Sequence, residues 1–169
     1  MTPELQPLPA PLPRLLLWRH TPRRTAWLFD GPTCVGSLGF GGYGRASGVT
    51  SQGIWHLQRM GVLHQGVTIA AADGHRPPLL MRQTSALDGT LEMDDEVVRW
   101  RSAGPQSWCF ERDSDLARYF VLAPSGLLLL DTDVEVCPAA ASLADPSPLL
   151  LLGAFLVRLA VDDSAVIAG

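Results

Sequence analysis

Every fixed positive charge in this chain is an arginine: thirteen arginines and no lysine. A guanidinium presents a planar fork of donors that grips phosphate or carboxylate through two bonds at once. Several on one face therefore make an anion site. Arg99, Arg101, Arg112 and Arg118 are spaced for that role. In Glu96-Val-Val-Arg-Trp-Arg-Ser102, strand alternation sends Val98 and Trp100 one way and Arg99 and Arg101 the other. Arg112 and Arg118, on the strands that follow, are expected to join that face. The competing expectation is a solvated face whose arginines meet Asp or Glu across neighbouring strands.

The remaining reactive side chains point to no catalytic centre and no metal site. Asp94-Asp95-Glu96, Asp113-Ser-Asp115 and Asp131-Thr-Asp133 offer oxygen ligands, but none completes a calcium-loop pattern. All three read as turns, where Asp caps its own backbone. His20, His56, His64 and His75 lack zinc spacing. His64 and His75 fall in expected loops, and His56 is expected to face a core. Gly39-Phe-Gly-Gly-Tyr-Gly44 resembles a nucleotide loop but is followed by no helix, so it reads as a hairpin bend. Cys34, Cys109 and Cys137 are odd in number, have no CxxC spacing and sit in apolar runs. They are expected to be free, buried thiols. No cofactor is expected.

Hydrophobic residues make up 47% of the 169, and charged residues only 18%, which supports one folded domain over a disordered chain. A net charge of −4 argues against nucleic acid as a partner. The first residues lack the basic and long apolar segments of a signal peptide. The expected location is cytoplasmic, peripheral to a membrane if the arginine face binds lipid.

The elements that must position these residues are mostly strands. Residues 1–13 are proline-rich and read as a lead-in, and deletion of residues 1–11 is expected to leave thermal stability nearly unchanged. From Arg14 to Pro138, short β-like runs alternate with turn dipeptides at about 8–12-residue spacing, as in an all-β barrel or sandwich. Leu127–Leu130 is apolar on both faces. Then comes Ser147-Pro-Leu-Leu-Leu-Leu-Gly-Ala-Phe-Leu-Val-Arg-Leu-Ala-Val161, a helix expected over 147–161 with Ser147 as its cap. It is apolar all round yet too short for a hydrocarbon core of about 30 Å, so it must be wrapped by sheet rather than span a membrane. Arg158 inside it needs a carboxylate, and Asp162 stands at i+4.

About twelve short strands ending in one very apolar helix, with Gly53-Ile-Trp55, Val98-Arg-Trp100 and the helix end Val161-Asp-Asp163, resemble the tubby C-terminal-like fold. That superfamily includes LURP-one-related proteins and phospholipid scramblases, and the likeness runs from about Arg14 to Val161. The resemblance implies a mainly β protein, a closed antiparallel barrel around a buried C-terminal helix, and contact with anionic lipid. The expectation is thus a single domain over 14–169, a non-enzymatic binding module. Its arginine face would take an anionic lipid or phospho-ligand; otherwise a protein partner docks on the barrel, near an apolar patch at Trp18 or Trp108. A small hydrolase is the third alternative, and the sequence sets no oligomeric state.

Overall fold

The computed structural model describes residues 3–22, 24–42, 44–61, 65–85, 87–125 and 131–167, with side chains as far as residue 163. The strands are β1 (Leu15–Thr21), β2 (Thr25–Asp30), β3 (Thr33–Phe40), β4 (Arg45–Thr50), β5 (Gly53–Met60) and β6 (Gly66–Ala71). They continue as β7 (Leu79–Ser85), β8 (Asp88–Met93), β9 (Glu96–Gly104), β10 (Ser107–Arg112), β11 (Arg118–Ser125) and β12 (Asp131–Val136). Each pairs antiparallel with the next, and β12 returns to β1 with Leu15 opposite Glu135 and Trp18 opposite Thr132. The result is a closed up-and-down barrel of twelve strands with no free edge.

Alternation decides the wall. Leu16 and Trp18, Ala26 and Leu28, Trp55 and Leu57, Val98 and Trp100, and Phe120 and Leu122 all face inward and are buried. Trp18 is therefore core and contributes to no exposed patch, while Trp108 is half-buried and stacks on Trp100 with centroids 6.4 Å apart.

Eight strands make a barrel that side chains alone can fill, and twelve leave a lumen for something wider. A helix with its side chains is about 10–12 Å across, and α1 (Ser147–Ile167) occupies the lumen. Leu149–Leu152 and Ala154–Val157 are all buried in one cluster with the inward residues of the wall. No helix among the described residues is long and apolar enough to cross a membrane.

Two details differ from expectation. Ser147 does not cap the helix. Its buried hydroxyl accepts from Thr50 Oγ1 at 3.2 Å, and its amide donates to Asp145 Oδ1 at 2.9 Å. The helix also runs on past Val161 to Ile167, although its full burial ends at Val157 and Asp162 is exposed. Arg158 behaves as its position requires, with Nε 2.9 Å from Asp162 Oδ1 and its guanidinium over the Phe40 ring.

The lead-in is not a loose end. Leu8 and Leu12 pack against the core, and the Gln6 amide donates to the Cys34 carbonyl at 2.9 Å. Asp131 and Asp133 lie in β12 rather than in a turn. Tyr43, His64 and Gly126–Leu130, including the doubly apolar Leu127–Leu130, fall outside the described residues.

Candidate functional site

An up-and-down barrel gathers alternate turns at one mouth, and here the two mouths differ in charge. The Thr50–Ser147 bond places the β4–β5 turn beside the start of α1. Topology brings the β6–β7 loop, the β8–β9 turn, the β10–β11 turn and Asp145 to that same mouth. Asp73, Asp94, Asp95, Asp113, Asp115 and Asp145 collect there. Arg24, Arg45 and Arg158 stand at the other mouth, around the β3–β4 bend and the far end of the helix, with Asp162 paired to Arg158. A helix carries positive partial charge at its amino end and negative at its carboxyl end, so the axial dipole of α1 complements both rims.

The four arginines singled out in the sequence do not converge as one open patch. Arg99 and Arg101 face outward as expected. Glu111 stands opposite Arg99 on one side and Arg118 on the other, and its side chain is 1% exposed. Arg101 Nε approaches Glu111 Oε1 at 3.2 Å, a charge contact without hydrogen-bond geometry. Arg99 Nη2 meets Asp113 at 3.2 Å. Arg112 is elsewhere. In register with Val98, it turns to the end of the barrel, where Nε meets Tyr119 Oη at 3.1 Å and Glu96 Oε2 at 3.3 Å. Its Nη1 reaches Asp115 at 3.0 Å and its Nη2 Ser142 Oγ at 3.1 Å, so Arg112 ties three strands to the segment before the helix. Arg118 alone of the four has no ion-pair partner among the described residues, and it is exposed.

The groups with reactive potential are equally separate. Burial pushes the thiols of Cys34, Cys109 and Cys137 up from the ordinary range and so holds them protonated. His56 faces outward, opposite to expectation, because Trp55 and Leu57 take the core side of β5, and its Nδ1 lies 3.2 Å from Ser47 Oγ. No three His, Cys, Asp or Glu side chains among the described residues are placed to hold a metal ion.

His20, given no role in the sequence reading, stacks on Phe40 with centroids 5.6 Å apart, and neither ring nitrogen has a hydrogen-bond partner among the described residues. Burial pushes its pKa down, Arg158 pushes it further, and Asp131 and Asp162 oppose them. The unfolded chain binds this proton more readily than the native one, so the contribution to stability is complete above about pH 6.5 and drains as the pH falls below it. Thermal melts should therefore lose stability as the pH falls through and below about 6.5, and His20→Phe should flatten that slope. An unchanged slope would remove His20 from the acid response.

The acidic mouth holds a cleft of about 520 Å³. Trp55, Met93, Leu79 and Pro148 form its apolar surface, and Glu92, Asp94, Asp95 and Asp145 line it with carboxylates. Asp94 and Asp95 have φ of 52° and 62°, the two left-handed positions of a two-residue hairpin turn, where Asn and Gly fit best. Across the cleft lies Arg76, from the β6–β7 loop. Its guanidinium sits 5.3 Å from the Trp55 ring centroid, and Nη1 is 2.6 Å from Asp145 Oδ2. Glu92, Asp94 and Asp95 have no ion-pair partner among the described residues, although they share that cleft. The sequence offered little signal for this grouping beyond the Asp94-Asp95 turn, because Arg76 and Asp145 are 69 residues apart.

No family model matches the chain, and neither does any curated protein or solved structure.

Proposed function

We propose that this chain is a non-enzymatic interaction module that binds a cationic segment of a protein partner at the acidic mouth of its barrel. One observation carries the reading: the cleft already holds a guanidinium, that of Arg76, between an indole face and a carboxylate. An aromatic face and an anion are what a desolvated cation needs. Three further carboxylates beside them leave the cleft with an excess of negative charge.

A twelve-stranded barrel closed around a C-terminal helix supports the resemblance to the tubby C-terminal-like fold. The anionic-lipid reading that comes with it has less behind it. Its arginines were to converge without acidic neighbours, and Arg99, Arg101 and Arg112 each have a carboxylate within 3.3 Å.

The test is titration of a tri-arginine amide peptide by calorimetry, with a tri-glutamate peptide and anionic liposomes alongside. Wild-type protein should bind the basic peptide, more weakly as salt rises. Asp94→Asn with Asp95→Gly should weaken that binding severalfold while raising thermal stability. Each replacement relieves a left-handed residue and should contribute about 1 kcal/mol, or roughly 2–4 °C. Binding that survives the double substitution unchanged would place the peptide elsewhere. Salt-sensitive binding to the liposomes alone would restore the arginine face as the site.

A further inference from the structure

We infer that the cleft is shaped for one arginine side chain of the partner's basic segment, and that Arg76 is a built-in occupant the partner must displace. The inference rests on the cationic reading of the cleft and adds to it the identity of the recognised side chain and a self-occluding contact.

The argument turns on an asymmetry in the ion pair. Its receiving side is fixed. Trp55 is 3% exposed and belongs to the barrel core, and the Asp145 carboxylate, 16% exposed, is held from behind by the Ser147 amide at 2.9 Å. The occupant is not fixed in the same way. Arg76 belongs to the connection between β6 and β7, and its side chain is 46% exposed. No side chain among the described residues holds Arg76 apart from the Trp55 ring and Asp145. Preorganised groups that face a loosely anchored ligand are the features of a binding site, and a structural ion pair is fixed on both sides.

The chemistry selects arginine over lysine. A planar guanidinium stacks on an indole face and still presents in-plane donors to a carboxylate. An ammonium meets those demands less well, because it is more strongly hydrated and has no flat face. Glu92, Asp94 and Asp95 then account for flanking positive charges on the same segment. The free protein is thus in a closed state, and its apparent affinity is lowered by the fraction of molecules in which Arg76 is in place.

The experiment compares full-length wild-type protein with Arg76→Ala and Arg76→Lys, titrated by calorimetry with acetyl-arginine-methylamide, acetyl-lysine-methylamide and tri-arginine amide. Removing a competing contact of one stacked, half-exposed ion pair should tighten arginine binding about tenfold in Arg76→Ala. Arg76→Lys should fall between the two proteins. The lysine probe should bind more weakly than the arginine probe throughout, and the peptide more tightly than either. If wild type binds the peptide and Arg76→Ala binds it equally or less well, Arg76 is no occluding group, and only the cationic reading of the cleft survives. If no probe binds any of the three folded proteins, both fall. A merely structural Arg76 would weaken binding when removed; if Arg76→Ala gains affinity while Arg76→Lys binds as wild type does, the gain reports only the lost positive charge and the occluding role falls.

Discussion

Leu152→Asp should yield no cooperatively folded protein at neutral pH. Leu152 is 0% exposed, in the second turn of a helix enclosed by the barrel wall. A carboxylate there finds hydrocarbon in place of a counter-ion. Burying an unpaired charge costs several kcal/mol even after relaxation, and a domain of this kind has only about 5–15 kcal/mol of stability. Neutralising the new group by protonation is no escape, since each unit of pKa shift costs about 1.4 kcal/mol at the expense of the fold. Leu152→Ala separates size from charge. It should remain folded and lose roughly 2–5 kcal/mol, the range for emptying a leucine-sized site. Circular dichroism melts and solubility on expression read both variants. An aspartate variant that melts near wild type would mean that the helix is not enclosed.

The elements that were legible in the sequence are those whose signals are local. Val98-Arg-Trp-Arg101 alternates, and the structure buries Val98 and Trp100 and leaves Arg99 and Arg101 on the outside. The uninterrupted apolar run after Pro148 has no polar face, which alone requires enclosure. The end of that helix was misplaced because the aspartates that mark its emergence from the barrel read as its terminus. The apolar setting of Ile54–Leu57 allows His56 a core position, but Trp55 and Leu57, one residue to either side, claim that face of β5.

What could not be read was register. Whether an arginine on one strand faces open water or a carboxylate on the next depends on a pairing offset of a single residue. Glu111 lies between Arg99 and Arg118 only because the offsets of β9, β10 and β11 place it there. The acidic cleft is harder still. Its parts come from β5, the β6–β7 loop, the β8–β9 turn and the residue that holds the Ser147 amide, and barrel closure alone brings them to one rim. Nothing local marks Asp145 either, because Ser147-Pro148 reads as its own helix start, while the carboxylate holds both the Ser147 amide and Arg76.

Gly48→Val should also destabilise the protein strongly, and a second substitution should restore part of the loss. Gly48 lies on the inner face of β4, where a Cβ would come within 2.6 Å and 2.8 Å of the two Leu151 methyl groups and 3.1 Å of Leu151 Cγ. No unusual φ requires glycine at this position, and a β-branched residue ordinarily suits a strand. The sign of the effect therefore depends on whether Leu151 can move. It is 0% exposed in the packed core between helix and wall, where close packing leaves its side chain little room to change rotamer. Overpacking of this kind costs roughly 1–3 kcal/mol and occasionally more, which for a domain of this size lowers the melting temperature by about 2–4 °C per kcal/mol. Leu151→Ala alone should cost roughly 2–5 kcal/mol by leaving a cavity. In the double variant the valine methyls enter the space that the leucine vacates, and the two losses should fall short of their sum by about 0.5–3 kcal/mol. Strict additivity would mean that wall and helix do not touch at Gly48. Coupling of the expected sign would fix the helix against β4 at this turn, with its start aligned to the acidic rim through the Thr50–Ser147 bond.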